Sequence, residues 1–263
     1  MTARKTTAAL VSTLLVVAMA SATTLQDGDA DLGWRNYLQN DTGLPPSYRF
    51  PYSHCFRSAS LAHALPETLL LAVARGESDF NATARSKANA HGVMQIQWPG
   101  TARHLGIFRL TELYDPCTNI EAGARYLNEL MQQYDGNLHL ALAAYNYGPS
   151  RIAKDGSDIP PGAEWYSGYI LQHLDYVLGD RNPAKPLGEH LYSDLGRTTL
   201  VSFAEPYRAA AFVGSMEQLS PGLQLDWFRQ DVGRFSVVLI YQDRDEFQRS
   251  ATLLANAGFR LGE

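Results

Sequence analysis

Apolar residues recur at helical spacing through the middle of the chain and give way to short, nearly continuous runs towards its end. Pro66 suits the first turn of a helix, Glu67 sits near its positive end, and Leu69, Leu70 and Val73 form an apolar stripe. Thr101 can cap a short helix, and Asn119 opens a longer one whose apolar positions are Ile120, Ala124, Leu127, Met131 and Tyr134. Leu138, Leu142 and Tyr145 share one face of the next helix, which Gly148 and Pro149 end. Trp165, Tyr169, Leu174 and Val177 mark a last one. These patterns predict an all-helical domain over residues 52–178. From 179 to 197 the composition turns to Gly, Pro, Asn and charge, which predicts a linker. Over 198–263 the order becomes strand 199–203, helix 206–219, a strand pair 223–229 and 235–241, helix 245–257 and a short strand 259–261. The expected fold class is therefore α+β, a helical domain followed by a small βαββαβ domain.

The first residues add a compartment. Arg4 and Lys5 precede an apolar run from Ala8 to Ala20, and Ala20-Ser21-Ala22 has the small-x-small pattern of a cleavage site. Residues 1–22 are expected to be a signal peptide, and 23–51, with Gly43 and Pro45-Pro46, a leader draped over the domain. The run is short for a membrane span, so no stable span is expected after processing, and the location expected is the periplasm. Cys55 and Cys117 are the only cysteines. In an oxidising compartment they can close a loop worth about 3 to 4 kcal/mol, with two buried thiols as the alternative.

The formal net charge is −5 and becomes −7 without Arg4 and Lys5, which argues against nucleic acid as a partner. Trp34, Trp98, Trp165 and Trp227, with 14 Tyr, suit the flat faces of sugars. The seven His show no paired ligand spacing and two Cys do not make a zinc site, so neither metal nor cofactor is expected.

The candidate chemistry centres on Glu77, where the helix beginning near Pro66 runs out. The negative end of the helix dipole and any apolar surroundings both disfavour a carboxylate there, and a carboxyl group that keeps its proton can act as a general acid. Glu112, Asp115 and Glu121 read as caps and solvated charges.

Glu77-Ser78, then Ser86, Gly92-Val93-Met94-Gln95, Asp115-Pro116-Cys117 with Asn119-Ile120, and Tyr145-Asn146 with Tyr169-Ile170 follow in an order that resembles the lysozyme-like lytic transglycosylases of the soluble-transglycosylase family. The paired cysteines are similar to a subgroup that accompanies secretion and conjugation machines, which implies a cell-envelope assembly as a partner. The resemblance implies a lysozyme-like helical fold and cleavage of the β-1,4 bond between N-acetylmuramic acid and N-acetylglucosamine in peptidoglycan strands. Glu77 would be the single catalytic carboxylate, first acid and then base, and the product a 1,6-anhydromuramic end. It further implies that Ser78 and Ser86 orient substrate or Glu77, that Met94 and Gln95 line the cleft, that Tyr145 bonds near Glu77 and that Asn146 supports that wall. A hydrolytic muramidase and a non-catalytic peptidoglycan-binding or scaffolding protein are the alternatives. Residues 198–263 look like a SPOR-type peptidoglycan-binding domain, and a generic ferredoxin-like module explains the same pattern equally well.

Overall fold

The structure, a computed structural model, describes residues 27–179, 195–231 and 234–261; the expected signal peptide and most of the expected linker lie outside them. Its organising element is helix α3 (Glu67–Ser78), which follows α1 (Asp27–Asn40) and α2 (Ser53–His63). Every α3 residue from Thr68 to Gly76 is buried, so α3 is enclosed on all sides rather than on one stripe. It packs between α2 and α7 (Pro161–Leu178). Asp79, in the left-handed region at φ 49°, stops it and donates its N–H back to Ala74 and Arg75 carbonyls.

Around α3 stand α5 (Pro116–Gln133) and α6 (Leu138–Tyr147), preceded by a small hairpin, β1 (Ala90–His91) with β2 (Ile96–Gln97), and the short α4 (Gly100–His104). Helix α5 begins three residues before the expected Asn119. Asp115 is its cap and accepts from Thr118 N at 2.8 Å, with Pro116 in the first turn. The Cys55–Cys117 disulfide is formed, with Cα atoms 5.0 Å apart, and ties α2 to the start of α5.

Residues 27–40, read from sequence as part of a leader, form α1 and belong to the core. Ala30, Trp34 and Tyr37 recur at helical spacing and are buried. The Trp34 indole donates to Ser167 Oγ at 2.9 Å, Ser167 Oγ is 2.8 Å from His139 Nδ1, and the Tyr37 and Thr68 hydroxyls lie 2.8 Å apart. Helix α1 is thereby pinned to α7 and α3.

The last quarter of the chain contributes β3 (Gly196–Phe203), α8 (Pro206–Leu219), β4 (Leu225–Asp231), β5 (Arg234–Tyr241) and α9 (Arg244–Asn256), in the expected order. The sheet is antiparallel with spatial order β3-β5-β4, and Val237 pairs with both Val201 and Trp227. The expected strand at 259–261 is not formed. Phe259 N–H is taken by the Leu254 carbonyl at the end of α9, so the segment folds back, with Phe259 and Leu261 packing under the helices. Central strand β5 is buried from Phe235 to Ile240 because both sheet faces are covered. Leu239 meets Leu254 and the helices, while Val238 and Ile240, with Phe228, pack towards Tyr176 of α7. The helical part and the sheet thus share one core. No helix among the described residues is long and apolar enough to cross a membrane.

Candidate active site

Glu77 occupies the last turn of α3 and opens onto a cavity of about 240 Å³ lined also by Ser86, Gln95, Tyr126, Tyr145, Asn146, Arg229 and Gln230. A second, of about 560 Å³, adjoins it through Glu77, Ser86, Gln95, Arg229 and Gln230 and extends past Ser78 and Asp79. Together they form one cleft with Glu77 at its middle. Tyr166, from α7, donates its hydroxyl to Glu77 Oε1 at 2.5 Å. Burial pushes the Glu77 pKa up, opposed first by the positive charge of Arg229 and then by the Tyr166 hydrogen bond. The Tyr166 phenol is itself held well above its ordinary range by burial and by the neighbouring Glu77, so it remains a donor. A partly desolvated carboxyl group with one fixed donor and an open side can give up a proton and take one back.

The wall opposite Glu77 is the segment from Ser86 to Gln97, which is held by its own backbone and by one buried side chain. Asn119, fully buried, accepts from Met94 N at 2.7 Å and donates to the carbonyls of His91 and Leu113 at 2.9 and 3.0 Å. Gly92 turns the chain at φ +78°, and a Cβ there would collide with the Leu113 carbonyl and the Asn119 amide. Gln95 is also left-handed, at φ 51°, and its Nε2 donates to the Gly92 carbonyl at 2.9 Å. Ser86 Oγ accepts from Ala90 N at 3.1 Å. Ser78 Oγ donates to the Val93 carbonyl at 2.7 Å, and Tyr145 donates to the Met94 carbonyl at 2.9 Å. Both α3 and α6 are thus bolted to the same loop.

Five of the residues picked out from sequence, Glu77, Ser86, Gln95, Tyr145 and Asn146, line the smaller cavity, and Ser78 lines the adjoining one. Met94 corrects an expectation: its side chain is fully buried against Gly123 of α5, and only its backbone carbonyl takes part, as the acceptor for Tyr145. An unbranched apolar side chain packed on α5 is better satisfied in the core than against water. Tyr145 bonds to that carbonyl, and the direct partner of Glu77 is Tyr166, which the motif pattern missed. Its signal was present only as one more ring among Trp165, Tyr166 and Tyr169.

Other carboxylates stand apart or are engaged. Asp79 pairs with Arg197 at 2.9 Å. Glu121 is 2.6 Å from His63, and Glu112 is held low by the Arg109 side chain and backbone. His54 Nε2 lies 3.3 and 3.5 Å from the sulfurs of Cys55 and Cys117, but these are joined to each other and offer no thiolate to a metal.

Residues 54–162 match the Transglycosylase SLT domain family. Over 113 residues the chain is 38% identical to the soluble lytic murein transglycosylase of Escherichia coli K12, covering 40% of this chain and 17% of that one. It is 33% identical over 129 residues to the transglycosylase of Enterobacteria phage PRD1, covering 48% and 44%. Among solved structures, the 70 kDa soluble lytic transglycosylase SLT70 of Escherichia coli aligns at 28% identity and a TM-score of 0.44, over 57% of this chain and 27% of that one. The chain therefore spans less than half the length of these relatives.

Proposed function

We propose that the protein, whose residues 54–162 match the transglycosylase SLT family, is a peptidoglycan lytic transglycosylase in which Glu77 is the catalytic acid and base. The observation that carries this reading is Glu77 itself: a half-buried carboxyl group, bonded by Tyr166, and the one carboxylate among the described residues that line the smaller cavity. Glycosidases of the ordinary kind need two carboxylates flanking the bond, one to protonate the leaving oxygen and one to attack or to activate water. In the adjoining cavity the second carboxylate is Asp79, which is engaged by Arg197.

A single carboxyl group suffices if the nucleophile comes with the substrate. Glu77 protonates the bridging oxygen between N-acetylmuramic acid and N-acetylglucosamine, and the C–O bond breaks. The Glu77 carboxylate then takes the proton of the muramic acid 6-hydroxyl, whose oxygen closes onto its own anomeric carbon, giving a 1,6-anhydro end. The high effective molarity of an attached hydroxyl replaces the second enzymic group. Tyr166 and Arg229 stabilise the carboxylate between the two proton transfers, and the polar wall of Ser86, Gln95 and Asn146 offers hydrogen bonds to sugar hydroxyl and amide groups.

A disulfide and the apolar run near the N-terminus support placing this chemistry in the periplasm. The test is mass spectrometry of fragments released from purified sacculi, with Glu77→Gln in parallel. Anhydro-ended fragments that vanish in the variant are expected; reducing ends would assign a muramidase, and release independent of Glu77 would overturn the reading.

A further inference from the structure

The cleft is not built by the SLT segment alone. Strand β4, at the edge of the C-terminal sheet, places Arg229 and Gln230 in the lining of both cavities that open on Glu77. Among the described residues that line the smaller cavity Arg229 is the only cationic one, set among neutral hydrogen-bonding groups and Glu77.

The strand is fastened where it meets the cleft. Arg229 N–H donates to the Tyr169 hydroxyl at 2.9 Å, and that hydroxyl donates to the Gly76 carbonyl, also at 2.9 Å, one residue before Glu77. Asp226 pairs with buried Arg75, two residues before Glu77. On the far side Gln230 Oε1 accepts from Ser236 Oγ at 2.7 Å. These bonds fix the backbone that carries Arg229, so its guanidinium enters the cleft from a rigid edge.

We propose that Arg229 is a specificity-determining residue of the cleft, binding a carboxylate carried by the glycan strand and so favouring acidic muramyl strands over neutral N-acetylglucosamine polymers. This rests on the reading of Glu77 given above. A guanidinium offers a carboxylate two parallel N–H donors, which a lysine does not. The carboxylate comes from one of two places on the substrate: the lactyl group of muramic acid where the peptide is absent, or the stem peptide where it is present. Occupation also helps the reaction, because an anion on Arg229 offsets the cationic pull that otherwise lowers the proton affinity of Glu77.

The test uses the processed chain with Glu77→Gln, so that ligands bind without being cut, and compares it with the same chain carrying Arg229→Ala or Arg229→Lys. Calorimetric titration is run with a neutral N-acetylglucosamine oligomer, with peptide-free strands bearing free lactyl carboxylates, and with peptide-bearing strands. Arg229→Ala is expected to weaken binding of an acidic ligand about ten-fold or more, the scale of a hydrogen bond to a charged group, and to leave the neutral oligomer unaffected. Arg229→Lys should recover part of the loss. A loss confined to the peptide-free strands identifies the lactyl group, and one confined to the peptide-bearing strands identifies the stem. Equal weakening of all three ligands, or of none, overturns the proposal, as does failure of the parent chain to prefer either acidic ligand. Release of anhydro ends by the active chain is scored separately, so failure of the Glu77 reading is distinguishable from failure of this one.

Discussion

Replacing Asp226 with Ala removes one partner of an ion pair that joins the sheet to α3. The Arg75 and Asp226 side chains are only 1% and 8% exposed. Losing one member of a buried pair costs about 3 to 5 kcal/mol, because the other charge stays out of water. Arg75 retains other partners. Its Nη1 is 2.5 Å from His173 Nδ1, and its Cζ is 3.5 Å from the Tyr176 ring centroid. His173, pushed well below its ordinary pKa by burial and by Arg75, is neutral and accepts from the guanidinium. Those contacts remain in the variant and place the cost at the lower end, about 3 kcal/mol, which is a large share of the roughly 5 to 15 kcal/mol that holds a typical protein folded. The assay is urea unfolding of the disulfide-intact chain, followed by far-UV and near-UV circular dichroism. A lower midpoint with an unchanged slope is expected, with both signals falling together. Arg75→Met combined with Asp226→Leu should return to within about 1 kcal/mol of the parent, since an apolar pair leaves no charge stranded. A cost under about 1 kcal/mol for Asp226→Ala, or a sheet that melts in its own earlier transition, would refute the reasoning that the two parts share one core.

Tyr166→Phe takes a donor from the Glu77 carboxylate, so kcat should fall about ten-fold or more and the alkaline limb of the pH–rate profile should move upward; a profile that stays in place would remove Tyr166 from the site. Because burial raises the Glu77 pKa in the folded state, the native protein holds that proton longer than the unfolded one, and its stability declines as pH rises from about 4.3 through the raised value. Glu77→Gln should flatten that decline and melt above the parent at neutral pH, while losing activity by about 100-fold or more; urea midpoints at several pH values check the first point and muropeptide release the second. Replacing Cys55 and Cys117 with Ser should cost about 4 kcal/mol for a loop of 62 residues, read as a lower thermal midpoint under oxidising conditions. Gly92→Ala should destabilise the loop opposite Glu77 and lower kcat with it, since both the backbone angle and the nearby Asn119 resist a side chain; unchanged activity and melting would contradict the packing described.

The parts of the site that could be read in the sequence are those carried by short segments. Glu77 with Ser78, the turn through Gly92 and Gln95, and Tyr145 with Asn146 each lie within a few residues of one another, so their spacing survives in one dimension. Helices α3, α6 and α7 were legible for the same reason. What was hidden depends on distance along the chain. Tyr166 reaches Glu77 across 89 residues, and Arg229 arrives from a module that shares no motif with the helices. Helix α1 was masked by its own polar composition, with Gly28, Gly33 and three aspartates suggesting turns, although Ala30, Trp34 and Tyr37 kept the helical interval. The apolar run of β5 announced a strand, yet only the fold shows that both its faces are covered and identifies α7 as one of the covers.

The tethers on either side of Glu77 also bear on time. Arg75, Gly76 and Asp79 are each held by the sheet or through Tyr169 to it, by way of Asp226, Arg229 and Arg197. A chain that emerges N-terminus first therefore delivers Glu77, the loop opposite it and Tyr166 long before the strands that finish the cleft. During that interval the helix end carrying Glu77 lacks its last anchors, and the cleft is completed only as residues 196–241 fold onto it. A chain stopped at Gly179 would hold every motif residue and still lack Arg229, Gln230 and the anchors that the sheet places on Arg75, Gly76 and Asp79.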